Sequence, residues 1–363
     1  MRVLIVNAGS SSLKLRLLEE DDSLAASVDL SLTNGEIESP EVAKAVAGMP
    51  APDAVGHRIV HGGERFRDPV RIDREVREAL RELVDLAPLH QPKSLAALDA
   101  VSGAISDAPA VACFDTAFHA SLPQAARTYA LPEEWRRRYG LRRYGFHGLS
   151  HAYAARRAAE LLGRSDLRLV SCHLGAGASL AAVTEGRSVD TTMGFTPLEG
   201  LVMATRSGSV DPGMLLWLVE RHSLSERQLA EALEHRSGLL ALAGSPDMRT
   251  VLDRASAGDE RAELARGVYI HRLRAEIAAM VASLGGVEAL VFTGGIGENS
   301  AEVRERALAG LGLLGASLDL QRNAAPAADG VVSSDGSETA VLLIHSREDL
   351  EIAREVRALL AGS

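Results

Sequence analysis

The stretch Val3-Leu-Ile-Val-Asn7-Ala-Gly9-Ser10-Ser-Ser12-Leu-Lys14-Leu-Arg-Leu-Leu18 runs from one apolar segment through a tight Gly/Ser turn into another. A degenerate copy returns at mid-chain as Leu169-Val-Ser-Cys172-His173-Leu174-Gly175-Ala176-Gly177-Ala-Ser179-Leu-Ala-Ala-Val183. Each copy reads as a strand, turn, strand unit that presents small residues and backbone N–H groups between two strands. Such a turn can hold an anion. Two of them predict a duplicated domain closing on a polyphosphate, with Asn7, Ser10, Ser12 and Lys14 adding donors that backbone amides alone cannot supply. That points to phosphoryl transfer.

Working outward, 363 residues are too many for one ordinary core and suit two domains, with a cleft between them as the expected site. A net charge of -10 and a pI near 5.6 argue against nucleic acid as the main partner, so any phosphate site must be local. The first apolar run is too short for a signal-peptide core and no stretch reaches the length of a membrane span. A soluble, cytoplasmic protein is expected. Cys113 and Cys172 each sit in an apolar, strand-like run, which predicts buried, reduced thiols rather than a disulfide or a metal site.

The first half continues with a strand over Leu24 to Leu32 and the run Ala54-Val-Gly-His-Arg58-Ile-Val60-His61-Gly-Gly63. Apolar spacing over residues 73 to 87 predicts a helix ending before Pro88, followed by a second helix from Lys93 to about Ser106. A strand from Pro109 to Phe114 then delivers Asp115 to a carboxyl end, the position that faces the crevice in open α/β sheets. The second half repeats the logic: a helix from about Ser150 to Leu162, the second hairpin, and an irregular glycine-rich segment from Thr191 to Pro212. Pro212 after Asp211 reads as the first turn of a helix after its cap. A long helix near Asp259 to Leu284 leads to a strand at Ala289 to Thr293, the turn Gly294-Gly295-Ile296-Gly297-Glu298-Asn299, and a further helix. The last strand, Thr339 to Ile344, is followed by an amphipathic helix from Glu348 to Leu360.

Several motifs carry competing readings. The opening turn lacks GxxxxGK[ST] and runs strand to strand, which excludes a Walker P-loop. Gly295-x-Gly297 with Asp319 downstream resembles part of a dinucleotide fingerprint, but Ser300 occupies the third glycine position and the motif lies late in the chain. A glycine turn supporting an adenine or ribose fits the same residues. His147 and His151 have zinc-ligand spacing without a third partner, so a structural pair, with His147 donating to a phosphate, competes with a metal site. Arg58 and Arg206, each flanked by small or apolar residues, suit either recognition of planar anions or buried ion pairs. The basic run Arg136 to Arg143, with Trp135 and Tyr144 interleaved, reads as a solvated helix face. Glu348 is either part of the capping box Ser346-x-x-Asp349 or a carboxylate that holds Mg2+ through water.

Taken together, these motifs resemble the acetate kinases, of the wider group that includes sugar kinases, Hsp70 chaperones and actin. The residues that carry the resemblance are Asn7 to Lys14, Gly56 to Gly63, Phe114-Asp115-Thr-Ala-Phe-His119 and Arg143-Tyr-Gly-Phe146-His147-Gly-Leu-Ser-His151. They continue in Asp190 to Gly200, Thr205-Arg206-Ser-Gly and Phe292 to Asn299. The resemblance implies an α/β fold of two domains with duplicated ribonuclease H-like, actin-like ATPase cores around an interdomain cleft. The domains would cover residues 1–118 plus 349–363, and 119–348. It implies reversible phosphoryl transfer from ATP to acetate giving acetyl phosphate and ADP, on the route to acetyl-CoA, in a homodimer.

By matching positions, Asn7 and Glu348 would serve Mg2+, with Mn2+ as a substitute. Lys14, Ser10, Ser12, the loop His173-Leu174-Gly175-Ala176-Gly177, Asp247-Met248-Arg249 and Gly295 to Asn299 would serve the nucleotide. Arg58 would grip the carboxylate or the transferring phosphoryl, Asp115 would be the catalytic acid, and His147 and Arg206 would stabilise the transition state. Val60, Leu89, Phe146 and Pro197 would line the acyl pocket. The β-branched Val60 narrows that pocket and favours acetate over propionate or butyrate, by an amount that one methylene limits to about 1–3 kcal/mol. A nucleotide-driven binding protein of the Hsp70 and actin kind would share the fold but has no use for Arg58, the His147 region or the 191–212 segment. The chain departs from the family pattern at Ala176, where an Asn is usual, at Ser209, where an Asp is usual, and at Gln91-Pro-Lys93, where an Asn-Pro stretch is usual.

Overall fold

The opening motif forms two antiparallel strands, β1 (Val3–Ala8) and β2 (Ser12–Leu18), in a computed structural model that describes residues 1–9, 12–31, 37–86, 91–325 and 328–362. Their register sets Val3 opposite Leu18 and Asn7 opposite Lys14. Strand β3 (Leu24–Ser31) extends the ribbon antiparallel beyond β2, while β4 (Ala54–Ile59) pairs parallel with β1. The two-residue β5 (Val70–Arg71) lies antiparallel at the edge beyond β6 (Ala110–Phe114), which pairs parallel with β4. The sheet order is therefore β3-β2-β1-β4-β6-β5.

A second sheet repeats this plan. Strands β7 (Arg168–Leu174), β8 (Ala178–Thr184) and β9 (Arg187–Thr191) form the antiparallel meander. Strand β10 (Ala289–Thr293) adds parallel to β7, β12 (Ala340–Leu343) adds parallel to β10, and β11 (Gly330–Val331) closes the edge antiparallel to β12. Read from its other edge the order is β9-β8-β7-β10-β12-β11, the same succession of directions as in the first sheet. The duplication seen in the two turns thus extends over whole sheets.

Period-2 burial explains how each strand serves two cores. On one face of the first sheet, Leu4, Val6, Leu13, Leu15 and Leu17 pack with Val42 and Val46 of helix Ser39–Ala47 and with Ala97 and Val101 of helix Gln91–Ala104. On the other, Val3, Ile5, Leu18, Val111 and Cys113 pack with Ile352, Ala353 and Val356 of the last helix, Glu348–Ala361. Gly56 permits that seat: a Cβ there would lie 2.5 Å from Ile352 Cγ2 and 2.8 Å from Val356 Cγ2. Both cysteines are fully buried and free.

The chain divides into two compact units, Met1–Ala120 with Phe146–Tyr153 and Arg347–Ser363, and Ser121–Gly145 with Ala154–Ser346. Most expected elements form within a few residues of their sequence boundaries, including helix Pro212–His222, capped by the Asp211 side chain on Gly213 N, and helix Glu260–Leu284, capped by Asp259. Three local expectations are corrected. Gly294–Asn299 is itself a short helix rather than an open turn. The helix Arg74–Glu82 gives way to a 3-10 turn at Val84–Leu86, and Pro88 lies outside the described residues. The N-cap position before Glu348 falls to Arg347 rather than Ser346, and Arg347 makes no side-chain cap; its guanidinium is bonded to Asp349.

Candidate active site

Strands β1, β4 and β6 are parallel neighbours through β1–β4 and β4–β6 pairing, so their carboxyl ends align and deliver Asn7, Arg58 and Asp115 to one edge of the first unit. Asp115 N donates to Ile59 O at 3.0 Å, which fixes the residue just beyond the strand. Arg58 Nη2 donates to Asp115 Oδ2 at 2.6 Å, and its Nε lies 3.1 Å from both carboxylate oxygens. Arg58 Nη1 donates to Asn7 Oδ1 at 3.1 Å, and Asn7 Nδ2 donates to Glu348 Oε2 at 2.9 Å. Glu348 also stands 3.8 Å from Arg58 Nε. The return of the last helix therefore closes a four-residue polar cluster.

This cluster is nearly dry: Asp115 is 1% exposed and the Arg58 side chain 15%. Burial opposes the Arg58 charge, but Asp115 and Glu348 outweigh it and hold the guanidinium protonated above its ordinary range. Burial raises the Asp115 carboxyl; Arg58 works against that rise and the Glu348 charge adds to it. The buried ion pair expected as one reading of Arg58 is thus present, yet it sits among an amide and a second carboxylate at a strand-end edge, a set suited to anion and cation together. Lys14 is exposed on β2, opposite Asn7, and Ser12 is half-buried. Ser10 and Leu89 lie outside the described residues.

His147 adopts φ +56°, the left-handed region that costs a non-glycine residue on the order of 1 kcal/mol or more. The next residue, Gly148, donates its N–H to Asp115 O at 2.8 Å, so the strained turn is tied directly to the Asp115 backbone. Helix Gly148–Leu162 begins there. Phe146 is buried, with His119 Nε2 donating to its carbonyl at 3.0 Å and His61 meeting its ring edge-on at 5.5 Å. His151 is buried with its ring against His119, which favours the structural reading; among the described residues no group of three potential ligands could hold a metal. Val60 is buried beside His61, whose backbone is held from both sides by the Gln91 amide at 3.3 Å. Gln91 thus carries a structural task that the departing motif alone did not reveal.

In the second unit a cavity of about 790 Å³ is lined by Gly175, Ala176, Asp247, Met248, Arg249, Gly295, Ile296 and Asn299. Sequence reasoning missed its remaining wall, Pro246, Leu252, Asp253, Ser300, Ala301 and Glu302. Leu252 follows Met248 by one helical turn, a signal that was available. Gly175 N donates to Gly177 O at 3.0 Å in the second hairpin turn; His173 and Leu174 lie at the end of β7 and do not line the cavity. Gly297 and Glu298 face inward: Glu298 Oε1 accepts from Gly294 N and Ser346 N at 2.9 and 2.8 Å. The buried Arg304, also unforeseen, donates to the carbonyls of Gly297 and Glu298 at 2.6 and 2.9 Å. Its burial depresses its pKa to about 10.

Arg206 Nη1 donates to Pro197 O at 3.1 Å, and burial lowers the pKa of this guanidinium, with Glu234 opposing. Gly200 N donates to Ser209 Oγ at 3.0 Å, so Ser209 pins the same segment. Pro197 belongs to the second unit, Val60 and Phe146 to the first. Arg143 corrects the solvated reading of the basic run: Arg137 and Arg138 lie exposed and Arg136 half-buried on helix Glu133–Tyr139, while the Arg143 side chain is 17% exposed and paired with Glu199.

The chain matches the Acetokinase family over residues 36–354. An acetate kinase of Nostoc punctiforme is 43% identical over 404 residues, covering 99% of this chain and 100% of that protein. The crystal structure of Porphyromonas gingivalis acetate kinase superposes with a TM-score of 0.90 at 35% identity over 99% of both chains. A propionate kinase from Francisella tularensis superposes with a TM-score of 0.89 at 33% identity over 98% of both.

Proposed function

The chain belongs to the acetokinase family, and from that membership we propose that it transfers the γ-phosphoryl group of ATP to acetate, reversibly, forming acetyl phosphate and ADP. The observation that carries the proposal is the Arg58 cluster: a dry guanidinium braced by Asp115 and Asn7 suits a small planar anion far better than a peptide or a sugar. Acetic acid, with a pKa below 5, is ionised at pH 7, so its oxygen can attack without a strong base. Arg58 holds that carboxylate or the transferring phosphoryl, and Asp115 holds Arg58. His147 and Arg206 donate to the equatorial oxygens, whose charge must be stabilised in the transition state. The 790 Å³ cavity, lined by Gly295, Ile296, Asn299 and Asp247 to Arg249, takes the nucleoside. Lys14, Ser12 and the His173 to Gly177 turn complete the phosphate contacts.

Asn7 and Glu348 fit Mg2+, which takes hard oxygen donors from one or two carboxylates and leaves the rest of its shell to water and phosphate. Mn2+ can substitute. When bound, such an ion neutralises charge on the nucleotide phosphates. Two further proposals follow from the family. The protein acts as a homodimer, supported by helix Pro212–His222, which buries none of its residues and exposes Met214, Leu216, Trp217 and Val219. It acts in the cytoplasm, where ATP is made and where thiols such as Cys113 and Cys172 stay reduced.

The experiment is acyl phosphate formation from Mg-ATP with acetate, propionate or butyrate, trapped as hydroxamate. Acetate should be preferred, through the narrow Val60 side of the pocket. The likeness to a propionate kinase supplies the second reading, which a preference for propionate would establish.

A further inference from the structure

Arg206 and Pro197 sit on an irregular segment with no regular hydrogen-bond ladder, so something else must hold it still. Tyr129 Oη donates to Glu199 Oε2 at 2.6 Å and accepts from Phe195 N at 2.9 Å. Arg143 Nη2 donates to Glu199 Oε1 at 2.8 Å, and its Nη1 donates to the carbonyls of Thr192 and Met193, each at 3.0 Å. The guanidinium also lies 5.6 Å from the centre of the Tyr129 ring. A Cβ on Gly194 would collide with the Glu199 carboxylate and the Tyr129 hydroxyl, so the backbone is drawn directly against the cluster. Five contacts thus fix residues 192 to 199 at both ends, and the carbonyl of Pro197 between them accepts from Arg206.

We infer that Tyr129, Arg143 and Glu199 are positioning residues that set the place of Arg206 and of Pro197. The inference rests on the kinase reading above. The cluster is built for rigidity. Burial and the bond to Glu199 raise the Tyr129 phenol above its ordinary range, so it stays a donor, and Glu199 outweighs burial to keep Arg143 charged. Each acts through the segment 192–199 that their bonds hold. Catalysis tolerates little error there, since a displacement near 1 Å costs about a hundredfold.

The test uses the full chain with Tyr129→Phe, which removes one hydroxyl, and Glu199→Gln, which keeps the shape and removes the charge. Acyl phosphate formation is measured with acetate and propionate, alongside the nucleotide KM and thermal unfolding. The expected result is a kcat lowered about tenfold in either variant and an acetate-to-propionate preference changed by about threefold or more, with the ATP KM unmoved. Should a variant not fold, the other carries the test, Tyr129→Phe being the milder. Lower Tm with kcat and acyl preference at wild-type values would make the cluster merely structural and overturn the inference. Failure of the wild type to form any acyl phosphate would instead overturn the kinase reading, and the inference with it.

Discussion

Arg58 and Arg206 have the same side chain in different electrostatic settings. Arg58 is held by Asp115, Glu348 and Asn7, whereas Arg206 is desolvated with its Nη1 bonded to the carbonyl of Pro197 and Glu234 opposing the effect of burial; in the proposed reaction it donates to the transferring phosphoryl group. Arg206→Ala should therefore lower kcat by on the order of a hundredfold, about 3 kcal/mol, with the ATP KM nearly unchanged. Steady-state kinetics decide this, and an unaltered kcat contradicts the role. The motif residues were legible because each is an unusual residue type among small or apolar neighbours. Their braces were not. Glu199 lies 56 residues from Arg143, and a local basic run conceals that one of its arginines is drawn inward. Arg304 was equally hidden, since its acceptors are backbone carbonyls that no pattern of side chains displays.

The last helix, Glu348–Ala361, carries both the candidate metal ligand and a half-buried acid, Glu355, behind it. Burial raises the Glu355 carboxyl from 4.5 to about 7; Glu351 and Asp115 add to the rise, Cys113 and Arg354 oppose it. The folded chain then keeps a proton that the unfolded chain loses between these values. The stability contributed is full below pH 4.5 and is lost as pH rises through 7. At pH 8 the loss is on the order of 3 kcal/mol. Glu355→Gln should exceed the wild type in urea midpoint at pH 8 and match it at pH 5; a gap equal at both pH values contradicts the shift. Elements with strong periodicity, such as both hairpins and this helix, were legible from sequence because burial alone shapes them. The capping box and the glycine run 294–299 were not, because Glu298 and Arg304 reach their backbone from a distance.

Two sheets with one strand order carry the whole chain, and the twin Gly/Ser turns announced that repeat before any other feature did. What the turns could not announce is the course of the chain, in which Phe146–Tyr153 joins the first unit between two segments of the second. On the molecular surface, the apolar residues of helix Pro212–His222 are the face assigned to a second copy in the proposed homodimer. Leu216, 64% exposed, should lose that copy on substitution: Leu216→Glu is expected to halve the mass measured by light scattering without unfolding the chain. An equal mass for variant and wild type contradicts the interface. The central claim is the reaction itself, and hydroxylamine trapping with Mg-ATP tests it most directly. Hydroxamate should form with acetate and vanish when the acid is omitted, with ADP appearing in equal amount. ADP released at the same rate without any carboxylic acid, and no hydroxamate, would contradict it.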